Sequence, residues 1–446
     1  MFRCLNATRW GGGLSFAHAL SAERLPRILR GGTAIDHWQA FGKWTDDYLS
    51  SVALDGVVRD VYEQSSSGIF GPFFDPSRPM SVLQHVRPRH NYTKNTMGAS
   101  TFLRRTHRRQ RKLQKKQKRK RQQKQKTTPH NHVYLTTGLD TFSPVLERDV
   151  SPLHEFLVLN PQQTSVNLWV GSKNVTAPCH YDGYHNFFVQ ISGTKRFLLA
   201  SPWARSWLRP FPFLHPSHAQ CQRRLDTRSH QDGDTLPPHG DEFGFYEAVL
   251  EPGDLLYIPP GWFHEATSLS RSVSVNGWTP PRSEIETVEA LFALPVPWEE
   301  EMRVPGESAP GENKPRKLVH ILARLFGSAT VPDAAAQFVK DLYAERYAEL
   351  VAIGELDIGG PVSCITGRDA GGTGGTDPSI AAFVVRAQEL AQLLPRDNKR
   401  TWLFNFCEVL AFSAVSAQTE LVASLIHALP SCLREHAALE LELERT

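Results

Sequence analysis

His180-Tyr181-Asp182, followed 82 residues beyond the aspartate by His264, limits the architectures open to this chain more than any other stretch. Alternate residues of a strand project from one face, so His180 and Asp182 would present an imidazole and a carboxylate to one point. His264, arriving on a neighbouring strand, would complete a two-histidine, one-carboxylate triad that leaves metal positions open. That ligand set suits non-haem Fe(II). An H-x-D pair recurs by chance, and a histidine in an apolar strand is ordinarily a packed one, so the surroundings decide. Residues 167–171, 186–191, 196–200 and 255–259 read as short strands, and Ser192-Gly193-Thr194-Lys195, Glu251-Pro252-Gly253-Asp254 and Pro260-Gly261 read as turns. Short strands joined by Pro/Gly turns imply a sandwich or barrel.

From about Asn167 to Trp278 the sequence resembles the Jumonji-C (cupin-like) Fe(II)/2-oxoglutarate oxygenases, nearest to the branch that holds the asparaginyl hydroxylase inhibiting hypoxia-inducible factor and the tRNA wybutosine hydroxylase. The resemblance implies a mainly β core, a double-stranded β-helix of cupin or jelly-roll type with flanking α-helices. It implies His180, Asp182 and His264 as iron ligands, and 2-oxoglutarate and O2 as co-substrates. Lys195 matches the position that binds the distal carboxylate of 2-oxoglutarate, and an ammonium at the start of a buried strand does need an anion partner. Tyr134 matches a tyrosine sharing that carboxylate; Asn186 and Asn276 match polar residues lining the pocket. One place departs from the pattern: the family's threonine three residues before the first histidine is Ala177 here, with Thr176 one further back. Either a one-residue bulge restores the hydroxyl, making Thr176 a co-substrate contact, or the co-substrate loses one hydrogen bond worth roughly 0.5–1.5 kcal/mol.

At 446 residues the chain is long enough for two or three domains, and no run of apolar residues is long enough to span a bilayer. Six scattered cysteines without C-x-x-C spacing point to free thiols in a reducing compartment, nucleus or cytoplasm, and to no zinc site. The first thirty residues hold Arg3, Arg9, Arg24, Arg27 and Arg30 against one acid, Glu23. A mitochondrial presequence over residues 1–28 is one reading; an irregular start leading into the oxygenase domain at residue 29 is the plainer one. Residues 46–57 then read as a short helix and 57–62 as a strand.

Between Arg104 and Lys126 the composition changes abruptly. Fourteen of the chain's 50 Lys and Arg residues lie there with no acid, and the remaining 36 face 46 acidic residues, so the rest of the chain is acidic. Such a block repels itself, and residues 104–126 are expected to be a disordered insert within the domain 29–282. Nuclear import, phosphate contact with RNA or DNA, or a tolerated insertion would each explain it. No aromatic residue interrupts the run to stack on bases, so nucleic-acid contact would be salt-sensitive and sequence-blind.

Residues 199–247 carry Trp203, Trp207, Phe211, Phe213 and four histidines, His215, His218, His230 and His239. Their spacing fits no strand face and no carboxylate accompanies them, so a loop-rich insert, a candidate substrate-recognition surface, is favoured over a second metal site. Trp262 and Trp278 read as packing residues. Beyond the barrel, residues 283–358 are expected to form a helical extension. It opens with a capping box of Ser283 and Glu286 and continues with amphipathic helices over 317–353, which in the resembled branch make a homodimer interface. Residues 359–378 read as a Gly/Thr-rich linker, and 379–446 as a separate small helical region. The resulting expectation is an Fe(II)/2-oxoglutarate-dependent dioxygenase hydroxylating a macromolecule, foremost a protein side chain. tRNA-base hydroxylation, protein or histone demethylation by the same chemistry, and a non-catalytic cupin-like scaffold stand as alternatives.

Overall fold

The computed structural model describes residues 2–5, 7–9, 14–30, 35–65, 67–71, 91–107, 132–151, 164–211, 213, 215, 217–226, 244–296, 321, 325 and 378–413. Its strands, in chain order, are β1 (Arg3–Cys4), β2 (Ala7–Arg9), β3 (Arg27–Arg30), β4 (Val57–Gln64), β5 (Thr93–Gly98), β6 (His132–Gly138) and β7 (Ser165–Gly171). There follow β8 (Thr176–Tyr181), β9 (His185–Ser192), β10 (Lys195–Ala200), β11 (Tyr246–Leu250), β12 (Leu255–Ile258), β13 (Phe263–Ser268) and β14 (Ser272–Thr279). They form a five-stranded sheet, β1-β11-β10-β13-β8, and a nine-stranded sheet, β2-β3-β12-β9-β14-β7-β6-β4-β5. From β7 onward the chain passes repeatedly between the two sheets, and the pairings among β7 to β14 are antiparallel. This is the expected jelly-roll architecture.

Period-two alternation assigns each strand's two faces. On β14, Val273 and Val275 join the core under the helical segments, with Leu49, Phe102 and Leu146, while Ser274 and Asn276 take the opposite face. On β9, Phe187 and Val189 go to the same helix-covered core, while Phe188 packs with Phe197 and Leu199 of β10 between the sheets. The turns do what their glycines allow. Gly193 has φ +75°, and a Cβ there would meet the Arg271 carbonyl oxygen at 1.9 Å, so no other residue fits between β9 and β10 without displacing backbone.

Several expectations need correction. The described residues within 1–28 are not irregular: β1 pairs with β11 in parallel, β2 pairs with β3, and Leu14–Glu23 is helical. Two- and three-residue strands leave almost no periodic signal; their partners make them. The basic insert begins later than expected, because residues 99–107 are helical and Arg105 pairs with Glu63. Residues 108–131 lie outside the described residues, as do the linker 359–377 and nearly all of 317–353, of which Ile321 and Leu325 are helical and buried. Helix Arg282–Phe292 forms, but no capping box starts it. Glu286 accepts instead from Arg282 Nε at 2.9 Å.

The chain divides into two compact units, and residues 205–222 group with Arg282–Thr446 rather than with the barrel. Within this second unit, helix Pro378–Leu393 buries Ile380, Phe383, Val384, Ala387, Leu390 and Ala391. Helix Arg396–Ser413 adds polar ties: Asn398 and Trp402 donate to Glu284 at 2.9 and 2.7 Å, Arg205 donates to Asn405 at 2.9 Å, and the Phe213 amide donates to Glu408 at 2.6 Å.

In the first unit, one carboxylate ties the helical cover together. Asp149 accepts from Lys43 Nζ at 2.6 Å, Trp44 Nε1 at 2.9 Å and the Tyr48 hydroxyl at 2.7 Å. Burial opposes its ionisation, but the three donors outweigh that and hold the carboxyl below the usual range. Asp149→Ala strands the Trp44 donor and should lower the unfolding free energy by about 2–3 kcal/mol in denaturant titrations. Because the folded pKa lies below the unfolded value, this stabilisation is complete above about pH 4 and is lost as pH falls through the folded value.

Candidate functional site

Antiparallel pairing of β8 with β13 sets His180 directly opposite His264. Their rings lie 4.2 Å apart, centroid to centroid, tilted by 54°. Asp182 sits just past the end of β8, where its carbonyl accepts from the Gly261 amide at 2.7 Å. The Pro260-Gly261 turn thus ties the aspartate's backbone to the approach of His264; Gly261 adopts φ +79°, a conformation glycine reaches at no steric cost. One ligand atom from each of the three side chains lies within 4.8 Å of the others, and no second such cluster occurs among the described residues. His215 stacks on Phe211 and accepts from the Ser217 amide, and His218 packs edge-on against Phe213. His230 and His239 lie outside the described residues.

The hydrogen bonds behind the ligands orient them. His180 Nδ1 lies 2.7 Å from the Pro178 carbonyl oxygen and His264 Nδ1 lies 3.1 Å from that of Trp262. A carbonyl only accepts, so each Nδ1 carries the proton and each Nε2 keeps its lone pair for a metal. Burial, with the neighbouring His180, pushes His264 down to about 4 against the opposing pull of Asp182, so its imidazole is neutral at physiological pH. Asp182 Oδ2 is buried without a hydrogen-bond donor among the described residues and lies 3.6 Å from His264 Nε2. Buried carboxylate oxygens are almost always satisfied, and a divalent cation among the three ligand atoms would satisfy this one. The residues present fit a metal.

Lys195 begins β10 and is buried, with Nζ 4.8 Å from the Phe188 ring centre and 5.9 Å from that of Tyr134. Burial lowers its pKa to about 7, and no carboxylate pairs with it among the described residues. Tyr134, on β6, is buried among Phe70 and Trp169, and burial raises its phenol pKa. Asn276 donates to Asn186 at 2.9 Å and accepts from Trp169 Nε1 at 2.6 Å, so the two asparagines form one fixed network.

Thr176 takes a different place. Between Ala177 and His180 the register slips by one residue against β13, leaving Ala177 opposite Ala266 and Thr176 opposite Thr267. The slip is the anticipated bulge, yet it turns Ala177 to the side shared with Ala266, and the Thr176 hydroxyl lies 3.0 Å from that of Thr267. Sequence reasoning passed over Asn167 and Trp169, which face the interior from β7. Their alternation of polar and aromatic residues around Leu168 was the available signal.

The fold and this cluster define a class, double-stranded β-helix proteins with a ligand cluster that could hold a metal. The cupin-like domain family matches residues 14–284, and the chain belongs to it. It is 32% identical over 139 residues to Jumonji C domain-containing protein 5 of Drosophila melanogaster, covering 30% of this chain and 33% of that protein. Similarity extends to lysine-specific demethylase JMJ30 of Arabidopsis thaliana, 32% over 118 residues, covering 26% and 25% of the two chains. A third relative, tRNA wybutosine-synthesizing protein 4 of Gibberella zeae, is 41% identical over 98 residues, covering 22% and 9%. The matches thus span a third or less of these relatives.

Titration with Mn(II) under calorimetry should give one site per chain, weakened on the order of 100-fold or more in Asp182→Ala. Protons compete for the same lone pairs, so affinity should fall as pH drops toward about 4, where His264 takes up its proton.

Proposed function

We propose that this chain is an Fe(II)- and 2-oxoglutarate-dependent oxygenase that hydroxylates a protein side chain. One observation carries the reading: three converging ligand atoms share a barrel with a buried ammonium that has no carboxylate partner among the described residues. A cupin kept only as a scaffold has no use for an uncompensated buried lysine, whose desolvation costs several kcal/mol in order of magnitude. When bound, iron with 2-oxoglutarate supplies dioxygen activation for C–H oxidation, chemistry that no side chain provides. The chain's own part is to bind, orient and exclude water. His180 and His264 hold their Nε2 lone pairs inward by donating from Nδ1 to backbone carbonyls. Lys195 neutralises the distal carboxylate of the diacid, and the Trp169-Asn276-Asn186 network gives that chamber a rigid polar wall.

Three relatives carry lysine-specific demethylase names, which makes oxidation of an N-methyl group the second reading; loss of a methyl rather than gain of an oxygen in the product mass separates the two. Residues 104–126 support a further proposal, phosphate contact with RNA in the nucleus or cytoplasm. Deleting 108–126 should leave 2-oxoglutarate turnover unchanged and reduce both RNA affinity and its salt dependence.

Under anaerobic conditions, Fe(II) plus 2-oxoglutarate should give a weak visible charge-transfer band that disappears in His180→Ala. Absence of the band in metal-loaded protein favours the scaffold. Lys195→Ala should weaken 2-oxoglutarate roughly 10- to 100-fold. A free-state pKa of about 7 means the diacid binds the protonated form best, so affinity should fall as pH rises above about 7.

A further inference from the structure

Lys195 and His264 each have a chain neighbour held by the same three-residue clasp. The two residues face the barrel interior from adjacent antiparallel strands, β10 and β13, on which Lys195 pairs with Ser268 and Leu199 with His264. Four residues of strand therefore separate the backbone anchor of the ammonium from that of the imidazole, about 13 Å. Period two turns the next residue of each strand the other way. Arg196 and Glu265 lie on the outer face of the five-stranded sheet, with Leu198, two residues from Arg196, as the cross-strand partner of Glu265.

Arg224, Leu225 and Asp226 hold both of these outer residues. Arg224 grips the Glu265 carboxylate with two prongs, Nε to Oε2 at 3.2 Å and Nη2 to Oε1, and the Leu225 amide donates to Oε2 at 3.2 Å. Asp226 Oδ2 accepts from Arg196 Nη1 at 2.9 Å, while Arg196 Nε donates to Glu247 on β11. Glu265 is 1% exposed and Leu225 is fully buried, so this is no loose surface pairing. A two-pronged guanidinium–carboxylate contact fixes geometry as well as charge. It falls where the backbone ladder is weakest: Pro178 and Cys179 of β8 face Glu265 alone, and Pro178 has no N–H to donate. With the ladder interrupted on one side of Glu265, the clasp on its side chain supplies a restraint that the backbone does not.

We propose that Arg224 and Asp226 are positioning residues of a strap that sets the distance between Lys195 and the ligand cluster, and with it the length of the 2-oxo diacid the site accepts. The inference rests on the oxygenase reading and adds a specificity device to it. Such a diacid is held at both ends, its 2-oxo acid end at the ligand cluster and its far carboxylate at Lys195, so one methylene more or less misplaces one end. Each end moves with its strand. Arg224 and Asp226 sit two residues apart on one stretch of backbone, so the strap grips β13 at Glu265 and β10 at Arg196 and resists a slide of one strand past the other. The grip falls on the two residues adjoining His264 and Lys195. An apolar pair would cover this face at a lower desolvation cost than a buried carboxylate with its guanidinium, which marks the pair as a geometric device. The strap lies on the face turned away from the ligand cluster and acts through Glu265 and Arg196.

The test compares 2-oxo acids of different length on the Mn(II)-loaded full chain, each followed by the water-proton relaxation rate as it displaces water from the metal. 2-Oxoglutarate should bind roughly 10- to 200-fold more tightly than oxaloacetate, one methylene shorter, and 2-oxoadipate, one longer. Replacing both charges together, Arg224→Met with Glu265→Met, strands no buried carboxylate and should narrow that preference roughly tenfold. Pyruvate has no second carboxylate for Lys195 and should bind the unaltered chain and the variant alike. Asp226→Asn loosens only the Arg196 end; it should narrow the preference in the same direction, and it carries the test alone if the double variant does not fold. Asp149→Ala, which loosens the helical cover instead, should keep the full preference. An unaltered chain without a length preference, a preference unchanged in the folded strap variants, or pyruvate weakened by the same factor as 2-oxoglutarate overturns the proposal. Failure of the oxygenase reading is recorded separately, as absent Mn(II) or 2-oxoglutarate binding by the unaltered chain, and takes the proposal with it.

Discussion

The pairing of β8 with β13 is the contact on which the rest depends. Two strands from distant parts of the chain lie antiparallel with His180 facing His264, and a one-residue slip follows immediately. Shift that register by one residue and every side chain on one strand moves to the other face, removing an imidazole from the ligand cluster. Several elements keep the register fixed. The Gly261 amide holds Asp182's carbonyl, Glu265 turns to the opposite face to bind Arg224 and the Leu225 amide, and the Ser268 amide donates to Val175 at 2.8 Å.

Around that pairing the barrel contains groups that cost free energy to bury. Among the described residues, an ammonium without a carboxylate partner and a carboxylate oxygen without a donor lie between or beside the sheets. A barrel selected for stability alone would replace them with apolar side chains, since buried polar groups lacking partners are destabilising. Stability is supplied elsewhere. The helix-covered face of the nine-stranded sheet is almost wholly apolar, and Asp149 secures its helices through three donors. This division, an apolar outer core and a polar interior, lets a rigid scaffold tolerate an interior left incomplete for ligands.

Much of the barrel was legible because its signals are local. Gly193, Gly253 and Gly261 mark turns by the positive φ each adopts, and the strands between them alternate in period two. Other features were not, for equally physical reasons. The threonine at 176 is chemically suited to a co-substrate contact, but strand register alone decides that its hydroxyl meets Thr267. Glu286 had the spacing of a capping residue, and Arg282, four residues back, took it instead. Residues 199–247 read as a single insert, whereas 205–222 belong with the C-terminal helices through Arg205 and Phe213. These outcomes depend on partners far away in sequence, which no window of neighbouring residues contains.

The sequence by itself determined the ligand types, the turns and the alternation that makes a double-stranded β-helix, because metal preference, backbone freedom and strand period are properties of residues and their nearest neighbours. Tertiary structure alone decided which groups meet. It set His264 against His180, left Lys195 without a carboxylate partner among the described residues, and gave Thr176 to Thr267. Register, bulge position and burial arise only when strands from separate parts of the chain come together, and they fix which side chains the site brings together.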